Sequence, residues 1–508
     1  MGANSTKHSV QNEKVLIERF RSLETSDAED AILSEKLRPE TSMTSYRMIW
    51  KALLTSDIQS WEHQLLKDSK NRQVLYFRLA LSALSSADPK LVLTSESTII
   101  KDQQVFNTKI PFEGAPITNQ RSSGRCWLFA STNVFRVALM KRHNLDKFEL
   151  SQAYLFFYDK LEKANFFLEQ ILDTINEPLD ERLLQTLLNQ PVTDGGQWDM
   201  VVNLVEKYGL VPQVLYPDSF NAKSSYTIDE IITTKLREDA LQLRSLVSSG
   251  TKSAEEIISI QEKMVREIHL ILTLTLGPPP APETEFTWNY IDKDGAAHEL
   301  RKTPQEFAKE LKSTKSIRIT NSAVHDMISL VNDPRNEYNT LLAVDRLGNI
   351  VGGRGVTYVN VSIKTLKEAC IKMLQTGLPV FFGSDVGKYS SSRTGIMDTT
   401  LIDYELGFNV TLGLTKAERL MTGDSSMTHA MVLTAVHIED GKSVRWRVQN
   451  SWGEGAGSDG WFVMSDAWMD QYVYQAVVEP RFVSEKVRDV LKTKPKILPL
   501  WDPMGSLA

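Results

Sequence analysis

The hydrophobic patterning of this chain changes near Asn339, and that change constrains the fold more than any other feature. Before it, most segments carry apolar residues three to four positions apart, which predicts helices. After it come short segments rich in β-branched and aromatic residues, separated by turn glycines: VTYVNVSI, LPVFFGSDV, HAMVLTAVHI and VRWRVQNSWG. The chain therefore predicts an α+β fold with two lobes, and a cleft between them is the natural place for a site.

The same patterning divides the chain into five segments, because 508 residues exceed one simple core. We expect a partly disordered N-terminal extension over 1–55, a helical lobe over 56–220, a further helical block over 221–345, a β-rich lobe over 346–480 and a C-terminal segment over 481–508.

The composition is ordinary for a globular protein and disfavours several functional classes. With 58 basic and 64 acidic residues the net charge is −6, which gives no general attraction to nucleic acid or anionic membranes. No apolar stretch reaches the roughly 18 residues of a transmembrane helix. Two cysteines, Cys126 and Cys370, cannot build a disulfide framework, which indicates a reducing compartment and a cytoplasmic location.

The N-terminus, MGANST, matches a short myristoylation pattern with Gly2 and Thr6. A polar tail without modification explains the same residues, and one acyl chain would give only marginal, reversible membrane binding. Few arginines and the early acidic string ETSDAED disfavour a mitochondrial transit peptide.

Cys126 lies where a loop changes into a helix. The string NQRSSGRCW has turn residues, whereas CWLFASTNVFRVALMKR has few helix breakers, so Cys126 is predicted in the first helical turn. A helix N-terminus and a neighbouring imidazolium both stabilise a thiolate, which is the nucleophilic form of cysteine. Cys370, in LKEACIKML, is predicted to be a packing residue of a helix.

Three further residues could complete a site around Cys126. His429 opens the apolar strand HAMVLTAV, and Asn450 ends another strand, where its amide oxygen can hold the imidazole and Trp452 can cover that bond. Gln120 could join the backbone N–H of Cys126 in a two-donor oxyanion hole.

Each feature alone has a plain structural explanation. A single buried cysteine usually packs a core, and a histidine at a strand start is usually satisfied locally. An asparagine after a strand forms turns, and Gly195 and Gly196 mark a tight turn. The combination of these residues in this chain order is hard to obtain by chance.

Together they resemble the papain-like cysteine peptidases. The longer strings PITNQRSSGRCW, NDPRNEYN, FFGSDVGK, QNSWGE and LPLWDPMGSLA narrow the resemblance to the bleomycin hydrolase branch, over about residues 105–508. Ser123 stands where secreted relatives carry a disulfide cysteine, which fits a reducing compartment. About 300 residues separate Cys126 from His429, twice the usual spacing, so the block over 221–345 is interpreted as a helical insertion.

The resemblance implies a papain-like fold and a role for each site residue. It makes Cys126 the nucleophile, His429 the general base and acid, Asn450 the orienting residue and Gln120 the oxyanion donor. Gly195 and Gly196 match the backbone strip that pairs with substrate.

The resemblance also implies a cytosolic homohexamer whose sites face an internal channel. Residues 481–508 would form a C-terminal arm that fills one side of the cleft. The carboxylate of Ala508 would then face the ammonium group of a substrate N-terminus, which selects peptides with a free α-amino group.

The predicted function is therefore a cysteine aminopeptidase that hydrolyses N-terminal peptide and related amide bonds through an acyl-enzyme, without metal or organic cofactor. A zinc site is disfavoured because there are two cysteines and no H-E-x-x-H string. One alternative is a transglutaminase-like acyl transferase, which usually has an aspartate where Asn450 stands. Another is a relative that binds single-stranded nucleic acid, which the acidic net charge disfavours.

Overall fold

Helical and strand-forming segments fold largely as their patterns predict in the computed structural model, which describes residues 53–66, 72–311 and 326–506. Gly2, Ala508 and most of the predicted N-terminal extension lie outside the described residues. The chain forms two units, Met1–Leu79 and Ala80–Ala508. The helix Thr55–Leu66 belongs to the first unit, and the sites discussed below lie in the second.

Hydroxyl side chains begin many of the helices, because they accept hydrogen bonds from amides that have no partner inside the first turn. Ser253 and Thr303 form full capping boxes with Glu256 and Glu306. The α-helices are Thr55–Leu66, Arg72–Leu84, Pro89–Val92, Glu96–Lys101, Cys126–Arg142, Gln152–Asp173, Arg182–Asn189, Trp198–Tyr208, Phe220–Lys223, Tyr226–Ser249, Ala254–Leu276, Pro304–Lys309, Ile363–Gln375, Tyr404–Phe408, Lys416–Thr422, Asp466–Tyr472 and Glu485–Asp489. Short 3₁₀ helices span Gln213–Leu215, Pro480–Phe482, Val490–Lys492 and Pro503–Gly505.

Within the described residues, twelve strands form one large mixed sheet. From one edge to the other their order is Lys496–Leu498, Thr340–Val344, Thr357–Asn360, Ile328–Val331, Val473–Val478, Val380–Ser384, His429–Glu439, Lys442–Gln449, Trp461–Ser465, Ile396–Met397 and Ser390–Ser391, with Thr108–Lys109 paired to His429–Glu439. Antiparallel Phe286–Ile291 and Ala297–Lys302 form a separate pair.

The helix Cys126–Arg142 packs against the strand His429–Glu439, and this contact creates the site. The strand is buried on both faces over its first eight residues, so it appears in the sequence as a continuous apolar run. The helix is buried almost all round, including Asn133 and Arg136 on its polar positions. The α+β architecture is confirmed.

The segment 221–345 is less helical than predicted. It contains the long helices Tyr226–Ser249 and Ala254–Leu276, but also the two-stranded pair and two strands of the large sheet, Ile328–Val331 and Thr340–Val344. Thr340–Val344 lies after Asn339 and overlaps the string LLAVDRLGNIVGG, where the patterning predicts strands, whereas Ile328–Val331 is only four residues long and leaves little periodicity to detect. Across the described residues, no helix is both long and apolar enough to cross a membrane.

Candidate active site

Cys126 is the first residue of its helix, as predicted. The preceding residue, Arg125, makes no side-chain hydrogen bond to the first turn of this helix. Backbone hydrogen bonding from Ala430, Trp127 and Cys126 itself acts to lower the pKa of the thiol. Since Ala430 follows His429, the thiol lies against the start of the histidine strand.

His429 and Asn450 form the predicted pair. The His429 Nε2 and Asn450 Oδ1 atoms are 2.8 Å apart, and the amide of Ser451 also donates to Asn450 Oδ1 over 2.8 Å. Because that oxygen accepts both bonds, Nε2 carries the imidazole proton and Nδ1 is left as the basic nitrogen. The third member is thus an amide and not the carboxylate of the transglutaminase-like alternative.

Burial controls the charge of the resting pair. It raises the pKa of the Cys126 thiol to about 12, although the surrounding N–H groups favour the thiolate. It lowers the pKa of His429 to about 4, although the bond to Asn450 favours imidazolium. Burial of the sulfur therefore acts against the thiolate that the helix N-terminus and the neighbouring amides favour, and a thiolate at Cys126 stays a prediction.

The side-chain amide of Gln120, in the loop before Cys126, has a fixed orientation. Its Nε2 donates to the Ser123 carbonyl over 2.8 Å, and its Oε1 accepts from the Ser451 hydroxyl over 2.7 Å. An amide nitrogen carries two hydrogens, so one N–H of Gln120 remains for an oxyanion.

Trp452 covers the histidine, as predicted from its place after Asn450. The ring centroids of Trp452 and His429 are 4.8 Å apart and the rings are inclined by 31°. Trp452 is held there by a bridge to Asn119 at the start of the nucleophile loop. The indole therefore shields the imidazole and its partner from water.

Gly195 and Gly196 lie next to the nucleophile helix but differ in availability. The Gly195 carbonyl accepts from Lys163 Nζ over 2.6 Å, so it is already engaged. A Cβ on Gly196 would come within 2.6 Å of the Trp127 ring, so only glycine fits there. The Gly195 carbonyl is thus bonded within the protein, and the close packing of Trp127 requires glycine at position 196.

The C-terminal arm ends in this same region. Its chain is anchored by an ion pair between Asp502 and Arg335 at 2.7 Å and by the fully buried Met504. The carbonyl of Ser506 then accepts from Gln197 Nε2 over 2.6 Å, and the Ser506 hydroxyl donates to the carbonyl of Met427 over 2.7 Å.

The arm thus contacts the residue after Gly196 and the residue two before His429. Its last described residue, Ser506, therefore bridges the segments that hold Gln197 and Met427. Ala508, predicted to present the terminal carboxylate, lies outside the described residues.

Sequence reasoning missed residues that hold the loop before Cys126. Ser451 fixes Gln120, and Arg125 makes two hydrogen bonds to Asp218 of 2.8 and 2.9 Å while its Nε donates to the Ser123 hydroxyl. Their positions in the sequence could have pointed to them, because Ser451 follows Asn450 and Arg125 precedes Cys126. Charged Arg125, wholly buried next to a nucleophile, has a role that only the fold reveals.

Comparison with known proteins decides the family. A sequence profile of the Peptidase C1-like family matches residues 52–505. The chain belongs to the Peptidase C1-like family. It is 45% identical over 441 residues to bleomycin hydrolase of Rattus norvegicus, covering 85% of this chain and 95% of that one. It is 42% identical over 463 residues to cysteine proteinase 1, mitochondrial, of Saccharomyces cerevisiae (strain YJM789), covering 89% and 92%.

The fold comparison agrees. The crystal structure of PepW from Lactobacillus rhamnosis HN001 superposes with a TM-score of 0.84 at 39% identity, covering 90% of this chain and 99% of that one. The resemblance to bleomycin hydrolase and the papain-like fold are confirmed. This member of the Peptidase C1-like family is a hydrolase, a cysteine aminopeptidase.

Proposed function

We propose that this aminopeptidase removes N-terminal residues from peptides and related amides that carry a free α-amino group. The observation that carries the proposal is the position of Ser506, bonded to Gln197 on one side and to Met427 on the other. A segment lying across the cleft leaves no room for residues on the amino side of the first one. The carboxylate of Ala508 would bind the substrate ammonium.

The proposed reaction uses Cys126 as nucleophile and His429 as proton carrier. As the sulfur attacks the substrate carbonyl, its proton passes to His429 Nδ1, so the thiolate and imidazolium arise together and stabilise each other in a buried site. The carbonyl oxygen becomes negative and is held by the Cys126 N–H and one N–H of Gln120.

The tetrahedral species then collapses. The carbon–nitrogen bond breaks, His429 gives its proton to the leaving amine, and a thioester remains on Cys126. Water, deprotonated by His429, attacks the thioester and releases the acid and the free thiol. Asn450 keeps the imidazole aligned, and Gly196 and Trp452 line the substrate position.

We further propose a homohexamer in the cytoplasm. Assembly is supported by large apolar side chains that are exposed within one short stretch, with Leu406 at 77% and Leu412 at 64% exposure. Two free cysteines favour a reducing compartment. Sedimentation equilibrium tests the first point, and fractionation against mitochondrial markers tests the second, since the yeast relative is named mitochondrial.

The decisive experiment pairs two fluorogenic amides that differ only in N-acetylation. The wild-type enzyme should cleave the free-amine substrate alone, and Cys126→Ala should cleave neither. A truncation that ends at Gly505 should gain cleavage of acetylated, longer peptides. Equal cleavage of both amides by the wild type would refute the arm as a selector, and full activity of Cys126→Ala would refute the nucleophile.

A further inference from the structure

A largely buried carboxylate, that of Asp194, joins the loop before Cys126 to the segment that holds Gly195 and Gly196. Asp194 Oδ2 accepts from the Gly124 amide over 2.8 Å, two residues before Cys126. The Asp194 carbonyl accepts from Trp127 Nε1 over 2.7 Å, one residue after Cys126. Asp194 immediately precedes Gly195, so this one residue connects the chain around Cys126 to the segment of Gly195 and Gly196.

The charge of Asp194 is held by a fully buried lysine. Lys160 Nζ lies 2.6 Å from Asp194 Oδ1 and 2.5 Å from Asp229 Oδ1. Ser225 donates a further hydrogen bond to Asp194 Oδ2 over 2.5 Å. Burial opposes ionisation of Asp194, but Lys160 and hydrogen bonds from Asp229 and Ser225 hold the pKa of its carboxyl below the usual range. An ionised acceptor makes shorter and stronger hydrogen bonds than a neutral one.

The next lysine on the same helix fixes the strip itself. Lys163 Nζ donates to the carbonyls of Thr193 and Gly195 over 3.0 and 2.6 Å and pairs with Asp159 at 2.6 Å. The two residues that flank Asp194 are therefore held in place, and its carboxylate accepts the hydrogen bond of the Gly124 amide from a fixed position.

We propose that Asp194 is a positioning residue for catalysis: by fixing the Gly124 amide it aligns the backbone N–H of Cys126 that holds the oxyanion. The inference rests on the proposed function of Cys126. Asp229 provides the comparison variant, because it shares Lys160 and a hydrogen bond with Asp194 but its carboxylate is not bonded to Gly124.

The test compares Asp194→Ala with Asp229→Ala in three measurements. The first is kcat/KM on the free-amine amide, and the second is Ki for an amino aldehyde, whose hemithioacetal oxygen occupies the oxyanion position. The third is the rate of Cys126 alkylation by iodoacetamide, which forms no oxyanion. We expect Asp194→Ala to lose roughly 10- to 100-fold in kcat/KM, mainly in kcat, with a matching rise in Ki and an alkylation rate within about twofold of wild type.

Asp229→Ala should stay within about threefold of wild type in all three measurements, because Asp194 loses the hydrogen bond from Asp229 but keeps Lys160, Ser225 and the Gly124 amide. Gly124→Ala gives an independent variant if Asp194→Ala folds poorly. Its Cβ would lie 2.7 Å from Asp194 Cβ, so it separates the two residues and leaves the ion pair intact. It should show the same pattern as Asp194→Ala.

Equal behaviour of the two aspartate variants would overturn the inference, and so would a loss of alkylation in proportion to the loss of kcat/KM. The wild-type enzyme serves as the reference for the proposed function. If it neither cleaves the free-amine amide nor alkylates at Cys126, the proposed function fails and this inference fails with it. If the wild type is active and Asp194→Ala is unaffected, this inference is refuted while the proposed function stands.

Discussion

The Ser451 hydroxyl donates to Gln120 Oε1 over 2.7 Å, so the residue after Asn450 orients the amide expected to bind the oxyanion. The two residues are 331 positions apart in the chain. The backbone N–H of Gln120 also donates to the carbonyl of Ser451, over 2.8 Å. The histidine partner and the oxyanion glutamine are therefore held by one short segment.

Ser451→Ala tests that relationship. Without the hydroxyl, the Gln120 amide can rotate, so we expect kcat to fall about tenfold while KM changes little. In a Gln120→Ala background the same substitution should have no further effect, because the two act through one group. Additive losses in the double variant would show that Ser451 acts elsewhere.

The pH dependence of kcat/KM should follow the shared proton of Cys126 and His429. The active pair holds one proton, and a second binds as pH falls through the His429 pKa of about 4. The thiol pKa of about 12 puts loss of the last proton far above neutrality. We therefore expect an acidic limb near pH 4 and a plateau through neutral and mildly alkaline pH.

Asn450→Ala checks the same assignment. Its bond raises the pKa of His429, so its removal should move the acidic limb to lower pH while kcat falls. An acidic limb that moves upward, or a wild-type limb near the ordinary histidine pKa of about 6.5, would contradict a buried, neutral imidazole.

Gly196→Ala should damage both packing and substrate binding. Its Cβ would meet the Trp127 ring at 2.6 Å, which overpacks the site and costs about 1–3 kcal/mol of unfolding free energy. We expect a raised KM as well, because the backbone of Gly195 and Gly196 moves away from the substrate. Gly455→Ala is the control, since a Cβ there meets nothing within 4 Å. Urea unfolding and steady-state kinetics measure the two effects, and equal behaviour of the variants would contradict the prediction.

The two cysteines should differ in reactivity although both are buried. Burial raises the pKa of each thiol to about 12, but Cys126 lies against the histidine strand, whereas Cys370 lies within the helix Ile363–Gln375. We expect iodoacetamide to label Cys126 in the native protein and Cys370 only after unfolding, as read by peptide mass spectrometry. His429→Ala should slow labelling of Cys126 severalfold at neutral pH. Labelling of Cys370 in the native protein would contradict its interior position.

The sequence by itself determined the elements and the candidate residues. Cys126 begins a helix, His429 begins a strand and Asn450 follows one, because helix and strand periodicities are local properties of the chain. The chain order of these residues and their neighbouring strings also indicated the family.

Only the tertiary structure decided which groups meet and in which charge state. The engagement of the Gly195 carbonyl by Lys163, the bond from Ser451 to Gln120 and the place of Asp194 join residues far apart in sequence. The fold also buries the Cys126 sulfur and the His429 ring, which raises the pKa of the thiol and lowers that of the imidazole, and no local pattern contains that burial. The physical reason is that desolvation and hydrogen-bond geometry depend on what surrounds a group in space, which a local pattern does not contain.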